Sequence, residues 1–286
     1  MIPRFLTNAA LALLLCSLPV AAQALSVVAS MPPHGFVVER VAGPDVEVSV
    51  LIGAGHNPHA FEPTARQIAA MAEADLYYRS GMPLEDALLT KIRSVNPALR
   101  VLDAREALDH EAHKPHQHAH QHDDHAHEPH HWTDPLNVVR MAEQVSAALA
   151  EHDPGNAERY RANAARLIAE LRALDADLRA LLQPLRQRVF LVYHPAWDHF
   201  AARYGLEQLA MEHEGKAPGP RHLARLIDRA KALGLRALFV QPQIQSQDTK
   251  TLAEAIGASL VVIDPLAADY IDNLRRVAQA IADAGR

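Results

Sequence analysis

Asp153–Leu185, with the sequence DPGNAERYRANAARLIAELRALDADLRALLQPL, is the stretch that decides the fold. Asp153 and Pro154 are placed to begin a helix, and Pro184 is placed to kink or end it. Leucines recur along one face at steps of three and four residues, at Leu167, Leu171, Leu174, Leu178, Leu181 and Leu185. At about 1.5 Å per residue, a helix that ends near Leu182 is about 40 Å long. A long surface helix would carry the same pattern, but this length exceeds one small domain, so we interpret the helix as a strut joining two lobes.

Before this helix, short apolar runs alternate with segments of helical spacing. The predicted strands are Leu25–Ser30, Val46–Ile52, Leu76–Arg79 and Arg100–Asp103, and the predicted helices are Phe36–Val41, Ala65–Ala74 and Pro83–Val95. Such alternation is typical of a parallel sheet covered by helices. It predicts an N-terminal α/β lobe over residues 25–150.

After the helix the alternation begins again. The predicted strands are Arg188–Tyr193, Gln208–Glu212, Ala237–Gln241 and Leu260–Ile263, and the predicted helices are Trp197–Tyr204, Pro220–Leu233, Asp248–Ile256 and Tyr270–Ala284. The predicted fold is therefore α/β: two lobes, each a mostly parallel sheet with flanking helices, joined by one long rigid helix. We place the linking helix at 151–187 and the C-terminal lobe at 188–286. A ligand is expected beyond the carboxyl ends of the strands, in the cleft between the lobes.

The first residues are typical of a secretory signal. Arg4 is the positive start, Ala9–Val20 is a short apolar core, and Ala22-Gln23-Ala24 is a small-x-small cleavage site. We therefore expect residues 1–24 to be removed near Ala24 and the mature chain to reach the periplasm.

Cys16 is the single cysteine of the chain, and it lies inside this signal. Lipid attachment at Cys16 is the alternative to cleavage near Ala24, although Leu15 stands where a lipoprotein signal carries a small residue. Cleavage leaves a chain without disulfides, in which a metal is held by nitrogen and oxygen ligands. The formal net charge is −6, without a basic patch, so nucleic acid is not an expected partner.

Four stretches of the chain carry histidines in patterns that favour metal binding. They are HNPHAFEPT (His56–Thr64), ten histidines between His110 and His131, HHWTDP (His130–Pro135) and VYHPAWDHF (Val192–Phe200). Imidazole is the commonest metal ligand, and three of the stretches lie at predicted strand ends or turns far apart in sequence. We expect a metal site built by tertiary structure. Glu111–Pro129 lacks core-forming residues and is predicted to be a flexible histidine-rich loop.

The candidate ligands are His59, with His56 as an alternative, then His130 or His131, and His194. Asp264 follows a predicted strand and could complete a four-coordinate His/His/His/Asp set, or could simply cap a turn. Neutral imidazoles in a closed tetrahedral set suit Zn²⁺, whereas manganese favours more oxygen ligands. The residue types therefore favour zinc.

At these residues the chain resembles the metal-binding receptors of bacterial zinc and manganese ABC importers, the cluster A-I solute-binding proteins. The resemblance runs from Ser26 to the C-terminus. It rests on Pro58-His59-Ala60-Phe61-Glu62-Pro63-Thr64, on Pro129-His130-His131-Trp132-Thr133-Asp134-Pro135, and on His194 followed by Tyr204-Gly205-Leu206. Two further features are Glu214-Gly215 leading into Pro218–Arg221, and Phe239–Pro242, where Gln241 stands in place of the family's usual Glu.

The resemblance implies His59, His130, His194 and Asp264 as ligands, and it selects His130 over His131. It also implies that the chain is no enzyme but a periplasmic receptor, which captures Zn²⁺ as its transported ligand and delivers it to an inner-membrane ABC permease. The family's manganese receptors usually have Glu where this chain has His194. We expect a monomer, with a periplasmic metallochaperone as a further partner.

Three other functions fit parts of the sequence. A manganese receptor of the same family would share the fold. A zinc hydrolase would need an open metal position and a general base, and no HExxH motif is present. An adhesin or a metal buffer without a transporter is the third. The histidine-rich loop would collect Zn²⁺ weakly for the cleft, or would be a solvated spacer.

Overall fold

The computed structural model describes residues 24–108, 129–212, 219–243 and 247–286. The predicted signal up to Gln23, most of the histidine-rich loop and the Glu214-Gly215 feature lie outside these residues.

The N-terminal lobe contains one four-stranded parallel sheet. Its strands are β1 (Ser26–Ala29), β2 (Glu47–Val50), β3 (Leu76–Arg79) and β4 (Arg100–Asp103), in the spatial order β2-β1-β3-β4. The helices between them are α1 (Pro32–Ala42), α2 (Ala65–Glu73) and α3 (Pro83–Val95). The central strands are almost fully buried because helices cover them, as expected for a parallel sheet.

Two long helices follow. The first is α4 (Pro135–His152), and after a short 3-10 turn at Pro154–Asn156 the second is α5 (Ala157–Leu182). The predicted leucine face of α5 is buried at Leu167, Leu171, Leu174 and Leu178. This face packs on α1 and α4, and α5 also packs on the last helix of the chain. The long helix joining the lobes is thus confirmed, but α4, its main packing partner, is missing from the sequence prediction.

The C-terminal lobe repeats the arrangement of the first. Its strands are β5 (Val189–Val192), β6 (Glu207–Ala210), β7 (Ala237–Val240) and β8 (Ser259–Val262), in the parallel order β6-β5-β7-β8. Its helices are α6 (Asp198–Tyr204), α7 (Pro220–Ala232), α8 (Gln247–Ile256) and α9 (Tyr270–Ala284). The predicted fold class is confirmed in both lobes.

Three of the candidate residues lie in segments that follow strands of the two sheets. His59 follows β2, His194 follows β5, and Asp264 follows β8. Among the described helices, none has the length and apolar character needed to cross a membrane.

Candidate metal centre

Three of the predicted residues meet between the lobes. One ligand nitrogen from each of His59, His130 and His194 lies within 4.8 Å of the other two. The ring centroids are 4.9 Å apart for His59 and His194, 5.3 Å for His130 and His194, and 5.8 Å for His59 and His130. A tetrahedral Zn²⁺ with nitrogens at about 2.0–2.1 Å holds them about 3.3 Å apart. A small inward movement of the rings is enough to place all three on one ion.

His59 is supplied by an exposed turn of the N-terminal lobe. It lies in the 3-10 turn Pro58–Ala60, and its backbone N–H donates to the Asn57 side chain at 3.0 Å. His56, the alternative ligand, is also exposed but lies against the Phe61 ring, 6.1 Å between centroids, and is not in the cluster. The structure therefore places His59 rather than His56 at the centre.

His130 comes from the segment just before α4. Its side chain is buried, and its carbonyl accepts hydrogen bonds from the Thr133 N–H at 3.1 Å and the Thr133 hydroxyl at 2.9 Å. His131 is buried too, but its ring packs against Trp132 and His34. Of these two neighbouring histidines, only His130 belongs to the cluster, and His131 packs in the buried region beside it.

Trp132 and Asp134, which follow His130, hold this segment to the other lobe. The indole Nε1 of Trp132 donates to the Pro265 carbonyl at 2.7 Å, and the Tyr270 hydroxyl donates to the Trp132 carbonyl at 2.7 Å. The buried Asp134 carboxylate accepts from Nε of Arg203 with both oxygens at 2.9 Å. Trp132 and Asp134 therefore fix the His130 segment against the C-terminal lobe.

His194 is held by an acidic residue that the sequence analysis did not single out. The His194 Nδ1 lies 2.6 Å from a carboxylate oxygen of Glu212, and both side chains are largely buried. Val192 at the end of β5 pairs with Ala210 at the end of β6, and each partner of the contact lies two residues further on. The sequence signal for this contact is an acidic residue that follows its strand by the same number of residues as the histidine follows the neighbouring strand.

The group of closely spaced ligand atoms does not include Asp264, the expected fourth ligand. Its Oδ1 accepts from the Gln243 side-chain amide at 2.9 Å and from the Leu266 N–H at 2.9 Å. These two hydrogen bonds hold the carboxylate in a local turn. Its role as fourth ligand stays a prediction.

Behind the cluster lies a group of buried polar side chains. Within the described residues, both ring nitrogens of His34, Nε2 of His131 and the hydroxyl of Tyr78 have no hydrogen-bond partner. Burial lowers the pKa of His34 from 6.5 to about 4. Burial, followed by the neighbouring imidazoles, lowers the pKa of His131 well below 6.5. Both rings are therefore neutral at physiological pH.

The cluster brings together three imidazoles and no carboxylate among the described residues. Neutral imidazole donates a lone pair to a borderline divalent cation such as Zn²⁺ and also binds other transition metals. The arrangement is therefore suited to holding one divalent metal ion.

The chain is similar to known metal-binding proteins over most of its length. Residues 27–284 match the family described as ZnuA, zinc-uptake complex component A, periplasmic. The zinc-binding protein AdcA of Streptococcus pyogenes is 29% identical over 263 residues, covering 85% of this chain and 50% of AdcA. The manganese-binding lipoprotein MntA of Halalkalibacterium halodurans is 27% identical over 254 residues, covering 83% of this chain and 78% of MntA. The chain thus spans about half the length of its AdcA relatives.

Solved structures extend the comparison to the whole fold. A crystal structure of ZnuA is 36% identical, with a TM-score of 0.83, and the match covers 92% of this chain and 100% of that one. A zinc-bound deletion mutant of ZnuA is 37% identical, with a TM-score of 0.82 and coverage of 92% and 98%.

Proposed function

This chain belongs to the ZnuA family of metal-binding receptors of ABC importers, and we propose that it captures Zn²⁺ between its lobes and delivers it to an inner-membrane permease. Receptors of this family bind and hand over an ion and catalyse no reaction. The observation that carries the proposal is the convergence of His59, His130 and His194 from both lobes.

The donor set supports zinc over manganese. The cluster offers three neutral nitrogens, and Mn²⁺ prefers carboxylate and other oxygen ligands. AdcA and MntA, which are named for zinc and for manganese, are 29% and 27% identical to this chain, and this difference is too small to distinguish the two ions. We therefore infer zinc from the ligand chemistry of the chain's own residues.

We propose His59, His130 and His194 as the zinc ligands, with Asp264 as the fourth. For Asp264 to coordinate, an oxygen of its carboxylate must come closer to the histidine nitrogens than it lies in this structure. Four protein ligands close the coordination shell, which suits tight binding without an activated water.

The cellular setting is proposed from the sequence. A signal over residues 1–24 exports the chain to the periplasm, with lipid attachment at Cys16 as the alternative. The lobes at 25–150 and 188–286, joined by 151–187, act as a monomer. Its partners are the permease and a metallochaperone that supplies the ion.

The central experiment measures zinc affinity of residues 25–286 by titration against a competing chelator, with manganese as competitor. We expect tight binding of one Zn²⁺ by the parent chain and its loss when His59, His130 and His194 are all replaced by alanine. His56→Ala is the matched control, because it removes an exposed imidazole from the same loop outside the cluster. Unchanged zinc affinity in the triple variant would sink the proposal, and preference for manganese would reassign the ion.

The histidine-rich run is proposed to collect Zn²⁺ weakly and pass it to the cleft. Deleting Glu111–Glu128 should leave one tight zinc site and remove only weaker binding, as measured by calorimetry with a competing chelator. Loss of the tight site in this deletion would contradict the ligand assignment.

A further inference from the structure

Glu212 lies outside the histidine cluster but contacts one of its members directly. We propose that Glu212 is a positioning residue, which fixes the tautomer and orientation of His194 and strengthens its hold on the ion. The inference rests on the proposed zinc function and adds a residue that determines how tightly the site binds.

The contact is built into the sheet rather than into a loose loop. Val192 and Ala210 are paired neighbours on β5 and β6, and the two strands continue in step to His194 and Glu212. The backbone N–H of Glu212 donates to the Tyr193 carbonyl at 2.8 Å, which extends the ladder beyond the last paired strand residues. Both side chains therefore start from a fixed backbone.

The side-chain geometry determines which nitrogen is available for a metal. An ionised carboxylate only accepts hydrogen bonds, so a neutral His194 must carry its proton on Nδ1 and donate it to Glu212 across 2.6 Å. The lone pair then lies on Nε2, which is the nitrogen left to point into the cluster. Without the carboxylate, the imidazole would divide between two tautomers and would lose the contact that orients its Nδ1.

Charge adds to this effect. The side chains of His194 and Glu212 are 5% and 12% exposed, so the carboxylate acts through a medium that screens it poorly. A negative charge on the far side of the ring raises the basicity of the coordinating nitrogen. It also partly balances the charge of a divalent cation held by three neutral imidazoles.

The test compares Glu212→Gln with Glu212→Asp. The amide has nearly the same shape but no charge, and it can donate as well as accept, so the zinc dissociation constant should rise about 10- to 100-fold. Aspartate keeps the charge on a shorter side chain and should recover part of the loss. Glu207→Gln is the matched control, because Glu207 begins the same strand and pairs on the surface with Arg229.

Two readouts separate positioning from a general loss of structure. The absorption spectrum of the Co²⁺-loaded protein reports the ligand geometry and should change in Glu212→Gln but not in Glu207→Gln. In a His194→Ala background, Glu212→Gln should have no further effect on zinc affinity, since its role runs through His194. If Glu212→Gln lowered zinc affinity equally with and without His194, Glu212 would only support the fold.

The outcomes also distinguish this inference from the proposed function. Tight zinc binding by the parent chain with an unchanged dissociation constant in Glu212→Gln overturns the role of Glu212 and leaves the zinc receptor standing. A parent chain that does not bind zinc overturns both. The thermal midpoint of the zinc-free variants shows whether each one folds.

Discussion

Replacing His34 should remove a large part of the acid sensitivity of the zinc-free protein. His34 is fully buried, in edge contact with the rings of Tyr78, His131 and Trp132. Neither of its nitrogens has a hydrogen-bond partner within the described residues, so a proton on this ring would be neither solvated nor paired. For this reason the pKa of His34 falls from 6.5 to about 4.

The direction in which pH changes the stability depends on whether the folded or the unfolded chain binds the proton at His34. Between pH 6.5 and about 4 the unfolded chain protonates this histidine and the folded chain does not. Stability is therefore fully present above pH 6.5 and is lost as the pH falls through this window. At about 1.4 kcal/mol for each pH unit, the gap between the two pKa values corresponds to about 3 kcal/mol. His131 contributes in the same direction, because its pKa is also lowered.

The measurement is urea unfolding of His34→Phe and of the parent chain, with a chelator present, at several pH values from about 4 to about 7.5. The difference in stability between the two proteins should shift by about 3 kcal/mol in favour of the variant as the pH is lowered. His222→Ala, which removes an exposed histidine from α7, is the control. Parallel pH profiles for the parent and His34→Phe would refute the reasoning.

Three further predictions concern the contacts between the lobes. Asp134→Asn weakens the paired contact with Arg203 and should lower the free energy of unfolding by about 1–3 kcal/mol, whereas Asp272→Asn, in an exposed pair on α9, should cost less than about 1 kcal/mol in the same urea titration. Trp132→Phe leaves the buried Pro265 carbonyl without its donor, so unfolding should become easier by about 1–3 kcal/mol and zinc binding weaker, as measured by chemical denaturation and chelator competition. Because these contacts hold the lobes together, small-angle scattering should show a radius of gyration that changes by less than about 1 Å when zinc binds, and a larger closure would contradict this view of the interface.

Much of the fold was predictable because local signals agree with the tertiary structure. The bounds of β3, β4, α3 and α9 coincide with the predictions, since apolar periodicity and flanking proline or aspartate define these elements. Helix α4 was missed because the helix start at Asp134-Pro135 was not recognised in the sequence. At this start, Asp134 accepts from the Leu136 N–H and Pro135 lies in the first turn.

The sequence predicts which histidines form the candidate site better than it predicts the contacts around them. His59 lies in a turn that follows β2, His130 precedes α4 and His194 follows β5, and the tertiary structure brings the three together. The orientation of Asp264 depends on the amide of Gln243, and no sequence pattern specifies that hydrogen bond. Glu212 becomes significant only once β5 and β6 are paired in register.

The attachment of the His130 segment to the C-terminal lobe has a consequence for the kinetics of metal exchange at the proposed site. Through Trp132 and Asp134, the His130 segment is attached to the lobe that carries His194, so we expect the backbones of these two residues to move little relative to each other when an ion binds. With the proposed ligands, we expect His59, on its exposed turn, to be the one whose motion admits and frees the ion. Substitutions that stiffen this turn should slow association and dissociation together while leaving the equilibrium constant nearly unchanged.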